Sequence, residues 1–73
     1  MEIEMEMEMD AKAIGERLVE LRGERTQAEI AKELKISVSA LSMYERGERV
    51  PRDNIKIRIA TLFRKPICEI FYP

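Results

Sequence analysis

The sequence predicts an all-α fold of about five short helices, with a possible β-strand in an N-terminal arm. Three observations lead to this prediction. The 73 residues are about half of the ~150 that commonly form one domain, so there is room for one small core. From residue 11 onward, apolar residues recur at the three- and four-residue spacing of amphipathic helices. Residues that favour helix ends divide this stretch into short segments.

A first helix is predicted over residues 11–22. Asp10 precedes it and can accept a hydrogen bond from an amide of the first turn. Gly23 follows it, where helix ends favour a left-handed residue. Its solvent-facing side is expected to carry Arg17 and Arg22. The side chains that share its apolar face are Ile14, Leu18 and Leu21.

A capping box predicts the start of the second helix. The hydroxyl of Thr26 can accept a hydrogen bond from the amide of Glu29, and the Glu29 carboxylate can reach back to the amide of Thr26. The helix is expected to end near Leu34. Its predicted buried residues are Ile30, Ala31 and Leu34.

A break of two or three residues at Lys35 and Ile36 separates the second helix from the third. Ser37 can cap the third helix, which is predicted over about 38–46. Gly47 is expected to end it. Its predicted inward side chains are Ala40, Leu41 and Tyr44.

Two prolines mark the start of the last two helices. Pro51 and Asp53 introduce a fourth helix over about 54–64. Pro66 suits the first turn of a short fifth helix, 66–70. The apolar stripe of the fourth helix comprises Ile55, Ile57, Ile59, Ala60, Leu62 and Phe63. The last side chains expected to pack on the core are Ile70 and Phe71.

The charges divide the chain into two parts. The formal net charge is −1, from 13 basic and 14 acidic residues. Residues 1–10 carry five acids and no base, a charge of −5, whereas residues 11–73 carry 13 bases and nine acids, a charge of +4. We therefore expect an acidic N-terminal arm over residues 1–10 and a basic helical domain over residues 11–73.

The residue inventory argues against an enzyme. The chain has no His and one Cys, Cys68, so His-based triads, Cys/His dyads and zinc clusters lack their residues. We therefore expect no catalytic residues, no cofactor and no metal. One Cys allows no disulfide within the chain, which fits a cytoplasmic protein. Cys68 has apolar neighbours and is expected to be buried. No apolar run is long enough for a membrane span or a signal peptide.

The second and third predicted helices, joined by a tight turn, suggest a DNA-binding helix-turn-helix. Thr26-Gln27-Ala28-Glu29-Ile30-Ala31 resembles the first motif helix of the lambda repressor-like family, the Cro/CI or Xre regulators. A second resemblance to this family lies in an ordered series of residues, Ile36, Ser37, Leu41, Tyr44-Glu45-Arg46-Gly47 and Pro51. Residues 51–71 look like small phage or mobile-element members. One departure is Lys35, since the turn commonly has Gly or Asn; a left-handed backbone there would cost roughly 1 kcal/mol.

The resemblance implies a sequence-specific, double-stranded DNA-binding transcriptional regulator, most simply a repressor, with the third helix in the major groove. The first turn and outer face of that helix would read bases. Serine can donate or accept at base edges, and Val38 or Met43 can contact a thymine methyl, although Met43 is equally consistent with a half-buried residue. The expected base-reading residues are Ser37, Val38, Ser39, Ser42 and Met43.

Phosphate contacts are expected beside the recognition helix. The resemblance places Gln27 at the start of the first motif helix, where its side chain and amide can face a phosphate. Three arginines after the third helix can bind phosphate oxygens; their alternative role is pairing with Glu45 and Glu48. Glu45 is expected to link helix ends. The predicted phosphate-contacting residues are Gln27, Arg46, Arg49 and Arg52.

Two further interpretations concern partners. A homodimer is expected, because one module buries too little DNA surface for high specificity, and its half-sites would lie about one helical turn apart. The alternative function is a protein-interaction module, such as an antitoxin or an anti-repressor partner, that uses the same fold to bind a protein.

Residues 1–9 alternate apolar and acidic side chains, and four interpretations are considered. The first is a strand with an apolar face, which could pair with a second copy or with residues 70–72. The second is a solubilising tail. The third is a competitor of DNA for the arginines. The last and least favoured is a Cu(I) site made by the Met-x-Met spacing.

Overall fold

A computed structural model describes residues 10–72, which form five α-helices and contain no β-strand. The predicted all-α fold is therefore confirmed for this part of the chain. The predicted strand, tail, competitor and copper site of the arm fall on residues 1–9, outside the described residues. The helices are α1 (Ala11–Arg22), α2 (Gln27–Leu34), α3 (Val38–Glu45), α4 (Asp53–Phe63) and α5 (Ile67–Phe71).

The predicted caps begin the first three helices. A carboxylate oxygen of Asp10 accepts a hydrogen bond from the amide three residues later at 3.1 Å. Both bonds of the capping box are present: the Glu29 amide donates to Thr26 at 3.1 Å, and the Thr26 amide donates to the Glu29 carboxylate at 3.0 Å. The hydroxyl of Ser37 accepts from the third amide of α3 at 3.0 Å. These bonds satisfy amides that have no partner within the helix.

The last two helices are each shifted by one residue from the prediction. α4 begins at Asp53 rather than at residue 54, with Arg52 in the capping position and no side-chain cap. Pro66 has an extended backbone, with ψ of 143°. It therefore precedes α5 instead of forming its first turn.

One continuous core joins the five helices. α1 packs on α3 and α5, α2 packs on α3 and α4, and α4 packs on α5. The predicted apolar faces supply this core, with one error: Ile57 is 59% exposed. Ile59 takes the inward position on α4, and a residue two places away points to another side of a helix. The buried apolar residues are Ile14, Leu18, Ile30, Ala31, Leu34, Leu41, Tyr44, Ile59, Ile70 and Phe71.

Gly15 allows α1 and α3 to approach closely. A Cβ atom at this position would clash with the backbone carbonyl oxygen of Glu45 and would lie 2.8 Å from that of Tyr44. Both obstacles are backbone atoms, which cannot turn aside as a side chain can. The missing side chain of Gly15 thus sets the position of the end of α3 against α1.

Two side chains of the C-terminal region differ from expectation. Cys68 is exposed, because α5 turns Ile70 and Phe71 toward the core. Lys56, which the sequence did not single out, is buried. Its ammonium donates to the Tyr72 hydroxyl at 3.1 Å and lies 5.7 Å from the centre of the Phe71 ring. Such contacts between an ammonium group and aromatic faces are favourable, and here they hold the end of the chain on α4.

None of the helices within residues 10–72 has the length and hydropathy that crossing a membrane requires.

Candidate nucleic-acid interface

The connection between α2 and α3 is a tight turn centred on Lys35. Its φ and ψ are 61° and 44°, the predicted left-handed conformation. The Lys35 amide donates to the carbonyl of Lys32 at 3.1 Å, and the Ile36 amide donates to that of Ala31 at 3.0 Å. Ser37 returns to extended backbone and caps α3. These bonds fix the direction in which α3 leaves α2.

Glu45 joins the ends of three helices, as the sequence analysis expected. Its carboxylate accepts hydrogen bonds from Arg22 Nε at 2.8 Å and Arg22 Nη2 at 3.0 Å. It also accepts from Gln27 Nε2 at 2.8 Å. The Glu45 side chain is 5% exposed and that of Arg22 is 20% exposed. This network holds the end of α1, the start of α2 and the end of α3 together.

The two arginines of α1 are not solvent-facing, contrary to the prediction. The hydrogen bond to Glu45 raises the pKa of Arg22 above its ordinary value. The Nε of Arg17 donates to the carbonyl of Ile70 at 2.7 Å, which ties α1 to α5. Helical spacing places both arginines beside the apolar face, where neighbouring helices cover them.

The outer face of α3 carries the predicted base-reading residues. Ser37, Val38 and Ser39 are exposed at its first turn, whereas Ser42 and Met43 are half-buried one turn later. The Ser37 hydroxyl is engaged in the cap, and the Ser42 hydroxyl accepts from Arg46 Nη1 at 2.6 Å. The hydroxyl of Ser39, by contrast, forms no hydrogen bond with another residue of the range 10–72 and faces solvent.

Arg46 is paired within the chain. Its guanidinium donates two hydrogen bonds to the Glu48 carboxylate, at 2.9 and 3.0 Å. These bonds lower the pKa of Glu48 and raise the pKa of Arg46 from their ordinary values. Arg46 is also bound to Ser42, so it links the loop to the outer face of α3.

Arg49 and Arg52 are exposed, and their side chains form no hydrogen bond or ion pair with any residue of the described part of the chain. They line a cleft of about 370 Å³ together with Asn54 at the start of α4. Asn54 is not among the site residues predicted from the sequence. No acidic residue lines this cleft, whose other lining residues are Tyr44, Val50 and Ile55. Two guanidinium groups and an amide make it suited to an anion.

A family model described as helix-turn-helix matches residues 11–70, which are most of the chain. The protein belongs to this family, the lambda repressor-like or Xre group of DNA-binding regulators. The resemblance seen in the sequence is therefore confirmed. No curated protein and no solved structure is significantly similar to the chain.

Family membership indicates that this helix-turn-helix protein is a regulator with duplex DNA as its partner. Its predicted site residues fall into two groups. The residues of α3 lie on one outer face, and the arginines follow directly in the loop between α3 and α4. Gln27 lies at the first position of α2, but its side chain faces Glu45 and is half-buried. Within residues 10–72, no three acidic or Cys side chains converge as a metal site.

Proposed function

We propose that this helix-turn-helix protein binds specific sequences of double-stranded DNA through α3 in the major groove and regulates transcription, most simply as a repressor. The observation that carries the proposal is the exposed first turn of α3, followed in the chain by Arg49 and Arg52 with no partner among residues 10–72. A helix end that can enter a groove, next to cations that can bind phosphate, is the arrangement that helix-turn-helix recognition requires.

Base reading is assigned to the outer face of α3. Ser39 supplies a hydroxyl that can donate or accept, and Val38, 44% exposed, supplies a methyl surface for thymine. Ser42 already accepts a hydrogen bond from Arg46, so its proton is directed toward an acceptor on a base. Ser37 and Met43 lie at the two ends of this face. Because none of these side chains makes a bidentate base contact, groove shape and bridging water contribute to specificity.

Phosphate binding is assigned to the residues around α3. Arg49 and Arg52 are available for it without breaking a pair with any of residues 10–72. Arg46 joins them once a phosphate replaces Glu48. Gln27 contributes the backbone amide of the first turn of α2, since its side chain is held by Glu45.

A two-fold dimer is proposed as the binding species. One module of this size covers a surface that is small for specific recognition, and two copies on half-sites about one helical turn apart double it. The predicted target is therefore a palindrome.

The test is selection of bound sequences from a random duplex library at about 50 mM and about 200 mM salt. We expect an enriched palindrome and weaker binding at the higher salt. The Ser39→Ala variant should enrich a different sequence, whereas Lys65→Ala, a change on the exposed α4–α5 connection, should enrich the same one. Absence of both enrichment and salt dependence would contradict the proposal and favour the protein-interaction alternative.

A further inference from the structure

The cleft lined by Arg49 and Arg52 has the side chains that suit an anion. Two guanidinium groups face it with Asn54, and no carboxylate of residues 10–72 occupies or lines it. By contrast, Arg22 and Arg46 are each neutralised by a bidentate glutamate. Arg49 and Arg52, which have no acidic partner among residues 10–72, attract the negative group that is nearest and most concentrated.

The start of α1 packs on the loop that leads into this cleft. At Gly47, a Cβ atom would lie 2.9 Å from the Cα of Lys12, so the first turn of α1 packs directly on the loop that follows α3. Gly47 precedes Arg49 by two residues. Asp10 caps α1, so the residue that follows the arm in the sequence lies at the end of α1 that packs on this loop.

The arm has the charge and the length to fill the cleft. Residues 1–9 contain four carboxylates, at Glu2, Glu4, Glu6 and Glu8, and no base. Nine residues can span up to about 30 Å when extended, much more than the separation of neighbouring loops. A short tether also gives an effective concentration in the millimolar range.

From these observations we infer that the acidic arm, residues 1–9, binds the Arg49–Arg52 cleft of its own chain and competes there with DNA phosphate. The arm is thus a built-in competitor that lowers affinity for DNA in general and leaves the base-reading face of α3 unobstructed. Non-specific complexes depend almost entirely on phosphate contacts. The arm therefore weakens them, and it weakens specific complexes that use the same phosphate contacts by the same factor.

The size of the effect follows from tethering. With an effective concentration of about 1 mM, an arm whose dissociation constant in the cleft is several times lower than this concentration reduces the affinity for DNA severalfold. Added salt screens the arm as well as the phosphates. The difference between chains with and without the arm's charge should therefore shrink as salt rises.

The first measurement compares two charge-matched variants on a short random-sequence duplex. One variant carries Glu2→Gln, Glu4→Gln, Glu6→Gln and Glu8→Gln. The control carries Glu16→Gln, Glu20→Gln, Glu33→Gln and Glu69→Gln, four exposed residues that do not line the cleft. Both raise the net charge by four. At about 50 mM salt, we expect the arm variant to bind the duplex at least about five times more tightly than the control does. Equal affinities of the two variants would overturn the inference, since the change in net charge alone would then explain any change in affinity for DNA.

The second measurement uses no DNA. The effect of the arm on DNA affinity rests on the proposed function, whereas the contact between the arm and the cleft does not. Backbone amide NMR signals of residues 48–54, except Pro51, which has no amide proton, are compared between the unmodified chain and the two variants. We expect these signals to move in the arm variant alone, by less at higher salt, and equally at low and high protein concentration. Unmoved signals, or a shift seen only at high concentration, would overturn an intramolecular contact.

The two measurements separate the possible failures. If neither variant nor the unmodified chain binds DNA, the proposed function fails, and the NMR comparison still decides whether the arm occupies the cleft. If DNA is bound with salt dependence but the signals of residues 48–54 do not respond to the arm's charge, this inference fails and the proposed function stands.

Discussion

The guanidinium of Arg22, at the end of α1, holds the carboxylate of Glu45, at the end of α3, through hydrogen bonds of 2.8 and 3.0 Å. Gln27 at the start of α2 donates to the same carboxylate. One nearly buried acid therefore fixes the mutual positions of three helices, including both helices of the motif. The angle at which α3 is presented depends on this contact as much as on the turn at Lys35.

Glu45→Gln should destabilise the fold by about 2 kcal/mol, because a partly buried Arg22 would lose its counter-charge. The measurement is urea unfolding at neutral pH. The same change at Glu48, whose side chain and that of its partner Arg46 are more than half exposed, is the matched control and should leave the unfolding midpoint where it is. Equal midpoints for both variants would contradict the structural role of Glu45.

Gly15→Ala should destabilise the protein by about 2–3 kcal/mol, since the new methyl group would push against the backbone of α3. In an open helix position the same change stabilises by up to about 1 kcal/mol, so the sign of the effect is diagnostic. Thermal unfolding measures it, with Glu16→Ala on the exposed side of α1 as control. Stabilisation by Gly15→Ala would mean that α1 and α3 are further apart than described.

Lys35→Gly should stabilise the protein by about 0.5–1 kcal/mol. Glycine removes the cost of a left-handed backbone, although it also increases the freedom of the unfolded chain. Lys32→Gly removes a similar exposed side chain from the interior of α2 and should cost about 1 kcal/mol. Opposite signs in urea unfolding are expected, and a loss of stability in both would argue against the turn geometry.

Removal of the loop arginines should weaken binding to all DNA sequences alike. Arg46→Ala, Arg49→Ala and Arg52→Ala should each reduce the slope of log affinity against log salt by about one. Fluorescence anisotropy across a salt series measures the slope, and Lys65→Ala serves as control. A slope unchanged by Arg46→Ala and Arg49→Ala would remove the phosphate assignment from these residues.

Glu48→Gln should tighten DNA binding about twofold, because Arg46 would be released to a phosphate. Glu33→Gln carries the same charge change and should have no such effect. The pair also predicts a pH dependence. Its hydrogen bonds lower the pKa of Glu48, so the pair is intact above the ordinary value of 4.5 and is lost as pH falls through the lowered value. An NMR titration of Arg46 should therefore show a midpoint below 4.5.

Local signals in the sequence predicted most of the fold. Asp10, Thr26 and Ser37 make their capping bonds with amides only three residues away, so neighbouring residues are enough to reveal them. The left-handed turn at Lys35 was expected in the same way. The candidate site on the outer face of α3 also follows from spacing alone, because exposed and buried positions alternate with the helical period.

The errors concern side chains whose surroundings come from distant parts of the chain. Ile57 is exposed although it extends an apolar stripe, and Cys68 is exposed although its neighbours are apolar. Lys56 is buried because Phe71 and Tyr72 fold back over it. Arg22 is partly buried because Gly15 brings α3 close to α1.

The sequence by itself determined five helices, a helix-turn-helix and the face of α3 that carries the candidate base-reading residues. Hydrogen bonding and helical period act over a few residues, and neighbouring residues are sufficient to specify them. Only the tertiary structure decided which arginines lack a partner within residues 10–72. Arg22 and Arg46 have glutamate partners, whereas Arg49 and Arg52 share a cleft without one in the described chain. Charge pairing depends on distances of a few ångströms between side chains, and the packing of α1 on α3 sets those distances.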